Sequence, residues 1–344
     1  KMINRFLTLN IFLLLFFKVS AEISDSLLNS ILSDSTLMNG SFSICIKDAD
    51  STKVIYEKNT DLSLVPASVQ KIITTGISLD LYGTDFRFNT SILAQGNIDS
   101  TGTLWGNLVI KGSGDPTIGS RFFYPPGFPE KFLLNWLDSI KAKNINRIMG
   151  KIIIPDTLFG KEPVPLSWTM EDVGNYFGAG VFGFSVFDNA YSLYLKSDIE
   201  EGKTVEISKI KPDNTDLIIE NRLMSSYKKG DNSNIIGNPF DNYRTIVGTI
   251  PVGQKEFVIK GSLPNPPDFF EKYLTYYLLK NGIEVSNQSI GDSSVCTLLF
   301  SYLSPTLSEI VKMTNKYSIN HYAETLFRYN GLKIYSKGDL NSAI

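Results

Sequence analysis

The stretch most informative about the fold is residues 66–83, whose sequence is PASVQKIITTGISLDLYG. After Pro66 the hydrophobic period becomes helical, and Gly83 predicts the end of that helix. The apolar positions that share one stripe of the helix are Val69, Ile72, Ile73 and Ile77. Ser68 therefore opens an apolar-striped helix, and Lys71 follows it by one turn.

This Ser-x-x-Lys spacing has a chemical consequence. Residues three apart on a helix share a face, so Lys71 can reach the hydroxyl of Ser68. The helix N-terminus stabilises nearby negative charge, and a partly buried lysine can lose its proton near neutral pH and act as a base. The pattern occurs four times in the chain, but only this copy opens an apolar-striped helix. The alternative is that Ser68 is an N-cap and Lys71 a solvated side chain.

A second polar pattern, Ser-x-Asn, occurs once, at Ser318 and Asn320, where the last helix is predicted to start. A serine hydroxyl and an amide at this point are suited to relaying a proton and holding a substrate amide. The alternative is an N-cap followed by a solvated asparagine. His321 is the single histidine, and a Ser-His-Asp triad that uses it is a second possibility for the base.

The rest of the chain divides into segments that differ in the period of their hydrophobic residues. Residues 41–47 alternate as a half-buried strand, and residues 54–56 are predicted to be its hairpin partner. Residues 90–265 contain short alternating stretches broken by Gly and Pro, which predicts mostly β structure. The helical period returns from Pro267, with a last helix at about 318–329. We expect an α/β start, a β-rich middle and a helical end.

Composition limits the function. A length of 344 residues allows two domains, and 42% hydrophobic with 20% charged residues is typical of a globular chain. The net charge of -2 gives no reason to expect nucleic acid as a partner. One histidine and two cysteines make a metal site improbable, so we expect no metal and no cofactor. We expect Cys45 and Cys296 to be two separate buried thiols.

The first residues have the pattern of a secretory signal peptide. Lys1 and Arg5 are basic, residues 7–17 are almost entirely apolar, and Ala21 ends a small-residue cleavage site. The apolar stretch is short for a membrane span of about 20 residues, so cleavage is favoured over an uncleaved anchor. We expect an exported protein with no transmembrane span after cleavage.

Several blocks together resemble a known family. Ser68-x-x-Lys71 followed by Ser318-x-Asn320 resembles two of the three motifs of the penicillin-recognising serine enzymes. The surrounding sequence resembles the S13 peptidase family, the class C low-molecular-mass penicillin-binding proteins, which are D-alanyl-D-alanine carboxypeptidases and endopeptidases. The blocks that carry this resemblance are PASVQK (66–71), LYGTDFRF (81–88), GSGDPT (112–117), EDVGNYFGAG (171–180), FDN (187–189) and the segment from Asn315 to Leu326. Their agreement in order is more specific than any one block.

The resemblance implies an α/β fold in which a β-lactamase/transpeptidase-like domain is interrupted by inserted β-rich domains. The expected organisation is a signal peptide at 1–21, the first part of the transpeptidase-like domain at 22–90, the inserted β-rich modules at 91–265 and the second part of the transpeptidase-like domain at 266–344. The second part is expected to be incomplete, because nothing after Asn320 resembles the family's third motif, Lys-Thr-Gly.

The resemblance also implies roles. Ser68 would attack the D-Ala-D-Ala peptide carbonyl and Lys71 would take its proton, while the Ser68 backbone N–H would supply half of an oxyanion hole. Ser318 would pass a proton to the leaving D-alanine, and Asn320 would position Lys71 and the substrate amide. The positions that match the family's pocket for the peptide side chain are Trp168, Glu171 and Tyr176, for which ordinary domain packing is the alternative.

The implied partners are peptidoglycan stem peptides, with β-lactams as covalent inhibitors, in the bacterial periplasm or at the cell-envelope exterior. Because the third motif is absent, we expect a fragment or a truncated product. Three functions remain open: the family's D,D-peptidase, a non-catalytic exported protein that binds peptidoglycan peptides, and a Ser-Lys esterase or β-lactamase. The last needs a group that activates the deacylating water, and the sequence places none.

Overall fold

A computed structural model describes residues 30, 32–35, 40–125, 130–213, 215–291 and 295–339. The predicted signal peptide, 1–21, lies outside these residues. The chain divides into two compact units, residues 1–67 and residues 68–344, and each is described by itself.

The first unit contains the predicted hairpin, which is confirmed. Strand β1 (Ile44–Lys47) pairs antiparallel with strand β2 (Val54–Lys58). The turn between them is closed by a side chain, because the Asp48 carboxylate accepts the backbone N–H of Ser51 at 2.7 Å. Short polar side chains favour turns through this kind of local hydrogen bond.

The second unit contains six helices in its described part. They are α1 (Gln70–Tyr82), α2 (Lys131–Ala142), α3 (Met170–Val173), α4 (Pro266–Lys280), α5 (Leu307–Tyr317) and α6 (Asn320–Tyr335). Its strands are β3 (Asn89–Ile98), β4 (Thr103–Lys111), β5 (Arg147–Ile148), β6 (Ile152–Ile153), β7 (Ala190–Lys196), β8 (Glu206–Lys211), β9 (Ile218–Asn221), β10 (Met224–Ser226), β11 (Asn232–Ile236), β12 (Tyr243–Pro251), β13 (Phe257–Ser262), β14 (Glu284–Val285) and β15 (Cys296–Leu303).

A six-stranded sheet has the order β14-β5-β4-β3-β15, and β6 also pairs with β4. Helices α2 and α4 contribute to its core, since each repeats apolar residues every three or four positions. The largest of these side chains are Phe132 and Trp136 from α2 and Phe269, Phe270 and Tyr273 from α4. Phe270 packs edge-on against Trp136 with ring centroids 5.8 Å apart.

Two smaller sheets enclose a second core. One has the order β13-β7-β8, and the other has the order β10-β12-β11 with β9 paired to β12. Tyr191, Leu193 and Leu195 alternate along β7 and are buried in this core, as expected for one face of a strand. The predicted β-rich middle is therefore present, although it also contains helix α2, which the sequence analysis did not predict.

Strand pairing crosses the boundary between residues 265 and 266 that the sequence analysis predicts. Strand β15 pairs antiparallel with β3, and helix α4 packs in the same core. Strands β14 and β15, which follow residue 266, thus share a sheet with strands β3 to β6, which precede it. The division of the chain into domains stays a prediction.

Helix α1 has the predicted position, but its apolar stripe does not face the protein. Ile72 and Ile73 are 61% and 58% exposed, whereas Thr75 and Ser78 are buried. The inward side chains follow the spacing of one helix face and are Lys71, Thr75, Ser78 and Tyr82.

Polar contacts hold that inward face. The Asn315 amide donates to Thr75 Oγ1 at 3.1 Å, and Ser78 Oγ donates to the Asn330 side-chain carbonyl at 3.0 Å. Buried polar groups require such partners, so these bonds fix the position of α1 relative to α5 and α6. Helices α5 and α6 share a third apolar core with Phe88.

The two cysteines are free and exposed. Their prediction as separate thiols is confirmed, and their prediction as buried is wrong. Cys296 begins β15, an edge strand whose outer side has no partner strand in the described sheet. In the described part of the chain, no helix combines the length and the apolar character needed to cross a membrane.

Candidate active site

Ser68 lies in a single 3-10 turn, Ala67–Val69, and helix α1 begins directly after it. Its side chain is exposed. The N-cap position of α1 is Val69, so the alternative interpretation of Ser68 as an N-cap is wrong. Instead, Ser68 Oγ accepts a hydrogen bond from Lys71 Nζ at 3.0 Å, the contact that the three-residue spacing predicts.

Ser318 meets this pair from the other end of the sequence. Its Oγ donates to Ser68 Oγ at 2.8 Å and accepts from Lys71 Nζ at 3.3 Å. The backbone of Ser318 is left-handed, with φ 54° and ψ 46°, and it is the C-cap of α5. The last helix, α6, begins at Asn320, so the Ser-x-Asn pattern stands at its start as predicted, with Ser318 two residues before the first helical residue.

The three groups form a closed hydrogen-bonded triangle. Burial lowers the pKa of Lys71, because the charged ammonium is partly removed from water. A neutral amine at this point has one lone pair, which can accept the proton of the neighbouring Ser68 hydroxyl. The arrangement can therefore take a proton from Ser68 and return it through Ser318.

Among the described residues, no hydrogen bond joins Asn320 to Lys71. Its side-chain amide donates to the Phe177 backbone carbonyl at 2.9 Å, which ties the start of α6 to the 3-10 turn Tyr176–Gly178. The implied role in positioning Lys71 has no support from this geometry. The implied role toward a substrate amide stays a prediction.

A cavity of about 260 Å³ lies beside the triangle. The described residues that line it include Arg121, Tyr176, Phe177, Tyr317, Ser318 and Asn320. Ser68 Oγ is 2.8 Å from the Ser318 hydroxyl, so the candidate nucleophile lies next to this cavity.

Residues 25–342 match the family model described as the D-Ala-D-Ala carboxypeptidase 3 (S13) family. The chain belongs to this S13 family. The match extends over both motifs and over the middle section between them.

Individual relatives are distant. The S13 chain is 21% identical over 300 residues to D-alanyl-D-alanine carboxypeptidase DacB of Haemophilus influenzae, covering 85% of this chain and 59% of the relative. It is 23% identical over 335 residues to the D-alanyl-D-alanine carboxypeptidase of Actinomadura sp. strain R39, covering 92% of this chain and 59% of the relative. The chain thus spans about three fifths of the length of these relatives.

The fold is also that of a solved structure. The crystal structure of penicillin binding protein 4 (dacB) from Haemophilus influenzae superposes with a TM-score of 0.69 at 22% identity, over 89% of this chain and 66% of that one. The predicted fold class, a transpeptidase-like domain with inserted β-rich domains, is confirmed.

The three positions suggested for the substrate pocket do not all line the same cavity in the S13 chain. Tyr176 lines the cavity beside Ser318. Trp168 is partly buried and Glu171 is exposed in the short helix α3, and neither lines that cavity. Their predicted binding roles are untested.

His321 has a structural role in this S13 chain. Its ring is buried, its Nε2 lies 3.1 Å from Ser185 Oγ and 3.0 Å from Asn189 Nδ2, and burial lowers its pKa to about 3. In the described part of the chain no hydrogen bond joins His321 to Ser68, so the geometry gives no support to a triad.

Sequence reasoning missed Arg121 and Phe177. The Arg121 guanidinium lies 5.4 Å from the centre of the Tyr176 ring, and Arg121 Nε is 3.8 Å from a carboxylate oxygen of Asp188. Phe177 stands inside a block that carries the family resemblance, so the sequence did contain a signal that could have identified it. Arg121 stands outside every quoted block, and only the packing reveals it.

Proposed function

We propose that the chain is a serine-type D-alanyl-D-alanine carboxypeptidase or endopeptidase that acts on peptidoglycan stem peptides through an acyl-enzyme on Ser68. The observation that carries the proposal is the triangle in which Lys71 Nζ lies 3.0 Å from Ser68 Oγ and 3.3 Å from Ser318 Oγ. The relatives' names support the substrate class.

In the first half-reaction, the neutral amine of Lys71 takes the proton of Ser68 as Oγ attacks the carbonyl carbon of the D-Ala-D-Ala bond. The C–N bond then breaks. The proton passes from Lys71 through the Ser318 hydroxyl to the nitrogen of the leaving D-alanine. The product is an ester between Ser68 and the shortened peptide, and the triangle returns to its starting protonation state.

In the second half-reaction, water replaces the amine. Lys71 takes a proton from the water as its oxygen attacks the ester, and the Ser68 oxygen leaves with that proton. When the donor is a penicillin, the broken C–N bond lies in the lactam ring. The leaving nitrogen then stays tethered to the acyl group, so the acyl-enzyme persists.

The proposed setting is the bacterial periplasm or the cell-envelope exterior, after removal of residues 1–21. The support is the basic, apolar and small-residue order of that segment. No cofactor takes part in the proposed reaction.

The test is intact mass after incubation of the mature chain, from Glu22, with benzylpenicillin. We expect one covalent adduct on the parent, located on the peptide that contains Ser68. Ser68→Ala should take up no adduct, and Ser63→Ala, which removes an exposed serine five positions earlier, should behave as the parent.

A folded parent without an adduct would contradict an activated Ser68. Circular dichroism of the same sample would establish that the protein is folded. The function to test next would then be peptidoglycan binding without turnover, by titrating a D-Ala-D-Ala peptide into the chain.

A further inference from the structure

One face of the sheet β13-β7-β8 lines a second cavity, of about 510 Å³. Strand β7 alternates, so Tyr191, Leu193 and Leu195 point into the apolar core and Ser192 and Tyr194 point into the cavity. The floor of this cavity is therefore the side of the sheet that faces away from the apolar core.

The pairing register of the strands places several lysines side by side on this face of the sheet. Ser192 on β7 is the partner of Lys260 on one side and of Lys211 on the other. Lys209 is the partner of Tyr194 in the next row. Like charges on neighbouring positions of one sheet face destabilise it unless counter-charges are supplied.

The lysines differ in what neutralises them. Lys211 forms an ion pair with Asp213, and Lys209 Nζ lies 4.7 Å from the centre of the Tyr194 ring. Lys260 pairs through its backbone in the strand ladder, but its ammonium has no hydrogen bond or ion pair to any residue that the structure describes. Burial lowers the pKa of Lys260, and the nearby Arg121 charge lowers it further. The Asp188 charge acts in the opposite direction and partly offsets both effects. The Lys260 ammonium thus lines the cavity wall without a direct ion pair to a described residue.

The same sheet face offers a comparison. Lys196 lies two residues beyond Tyr194, outside the cavity, and its ammonium is 3.5 Å from the Glu206 carboxylate on the neighbouring strand. The sheet thus supplies an acid opposite a lysine where the face is open to solvent, and supplies none opposite Lys260.

The acids of the cavity are already engaged. Asp188 accepts from the Tyr322 hydroxyl at 3.1 Å and lies 3.8 Å from Arg121, and Glu130 accepts from the Tyr273 hydroxyl. The described lining contains Arg121, Lys209, Lys211 and Lys260 against Glu130 and Asp188, so positive charge is in excess.

The second cavity adjoins the candidate active site. Arg121, Asp188 and Ala190 line both this cavity and the cavity that contains Ser318 and Asn320. Arg121 is thus the basic residue that the two described linings have in common.

We propose that Lys260 and Arg121 form a subsite for a carboxylate that the peptide substrate carries away from its scissile bond. The subsite rests on the proposed function, because the peptide that it recognises is the one whose carbonyl Ser68 attacks. Arg121 offers a planar donor at the junction of the two cavities, and Lys260 offers a point charge further along.

The test compares two probes on the Ser68→Ala chain, which cannot turn them over. One is a peptide that ends in D-Ala-D-Ala and carries a glutamate carboxylate, and the other is the same peptide with that carboxylate converted to an amide. Calorimetric titration at fixed ionic strength gives the two dissociation constants. We expect the acid to bind about tenfold more tightly, as for one charge-assisted hydrogen bond.

Adding Lys260→Gln should reduce this preference to about twofold or less, since an amide cannot supply the charge. Lys260→Arg should keep most of the preference. Lys196→Gln is the matched control, because it removes one lysine from the same sheet face outside the cavity, and it should leave the preference intact.

Equal binding of acid and amide to the Ser68→Ala chain, or no binding of either, would overturn the subsite. An equal loss in Lys260→Gln and Lys196→Gln would also overturn it, because the effect would then be one of net charge. Penicillin acylation of the parent reports on the proposed function separately: an adduct without acid preference rejects the subsite alone, and acid preference without an adduct rejects the acyl-enzyme alone.

Discussion

Lys71 is the residue that joins the two serines of the site. It donates to Ser68, in the 3-10 turn directly before its own helix, and to Ser318 from the distant second motif. Burial shifts its pKa downward, toward the neutral form that a general base requires. The proposed chemistry therefore depends on the protonation of one side chain.

Lys71→Gln should slow penicillin acylation by about 10²- to 10⁴-fold, the range that a general base contributes. In the parent, acylation should rise with pH as Lys71 loses its proton, and this rise should disappear in the variant. The measurement is the rate of adduct formation by mass at several pH values.

The control for this experiment is Lys316→Gln, which removes an exposed lysine of α5 whose ammonium lies 5.1 Å from the centre of the Tyr317 ring. It should acylate as the parent does. An unchanged rate in Lys71→Gln would contradict the assignment of the base.

Ser318 combines its proposed chemical role with a conformational one, and two variants separate them. Its left-handed backbone suits glycine, whereas alanine is strained there by about 1 kcal/mol. Ser318→Gly should therefore unfold at a higher urea concentration than Ser318→Ala, while both lose the hydroxyl and acylate equally slowly. Full acylation by either variant would contradict the proton relay.

At the level of elements, helix α1 is positioned by polar groups. Its inward contacts are Asn315 with Thr75 and Asn330 with Ser78, while Ile73 is exposed. The apolar stripe correctly predicted the helix but not its inward face. Periodicity identifies a face that can be buried, and only the packing partners decide which face is.

Helix α5 ends at its C-cap, Ser318. Its N-terminus is capped by two reciprocal hydrogen bonds between Thr306 and Glu309. The Glu309 carboxylate accepts the Thr306 backbone N–H at 2.8 Å, and the Thr306 side chain accepts the Glu309 N–H at 3.4 Å. Such a capping box satisfies two donors that the helix leaves unpaired.

Thr306→Ala should lower the free energy of unfolding by about 1 kcal/mol. A double-mutant cycle with Glu309→Ala, measured by urea unfolding, should show that the two losses are not additive. Acylation of the folded variant should stay at the parent rate, because the cap lies at the opposite end of α5 from Ser318. Additive losses would contradict the reciprocal pair.

Over the whole molecule, two buried groups give the stability opposite dependences on pH. Burial lowers the pKa of His321 from 6.5 to about 3, so its contribution to stability is present above pH 6.5 and is lost as the pH falls toward 3. Burial raises the pKa of Asp115 from 3.8 to about 6, so its contribution is present below pH 3.8 and is lost as the pH rises through 6.

His321→Gln should remove the loss of unfolding free energy that His321 causes on acidification. This loss amounts to about 2 kcal/mol between pH 7 and pH 5. Asp115→Asn should make the fall in stability over the same interval steeper than in the parent. Urea unfolding at the two pH values measures both slopes. A parent-like slope in His321→Gln would show that His321 is not held neutral in the folded state.

The sequence by itself determined the features whose causes are local. Ser68 and Lys71 meet because a spacing of three residues, from the 3-10 turn into the first turn of α1, brings their side chains together. The hairpin of β1 and β2 follows from alternation around a short turn. The order of the family blocks then gave the fold class, because an ordered set of blocks is specific to one architecture.

Only the tertiary structure decided the features that join distant segments. Ser318 reaches Lys71 across 247 positions because a left-handed residue ends α5 and polar pairs hold α1 against α5 and α6. The pairing of β15 with β3 and the gathering of Lys260 with Lys211 around Ser192 depend on strand register. Register and packing are set by which surfaces are buried together, and a local hydrophobic period carries no information about the partner.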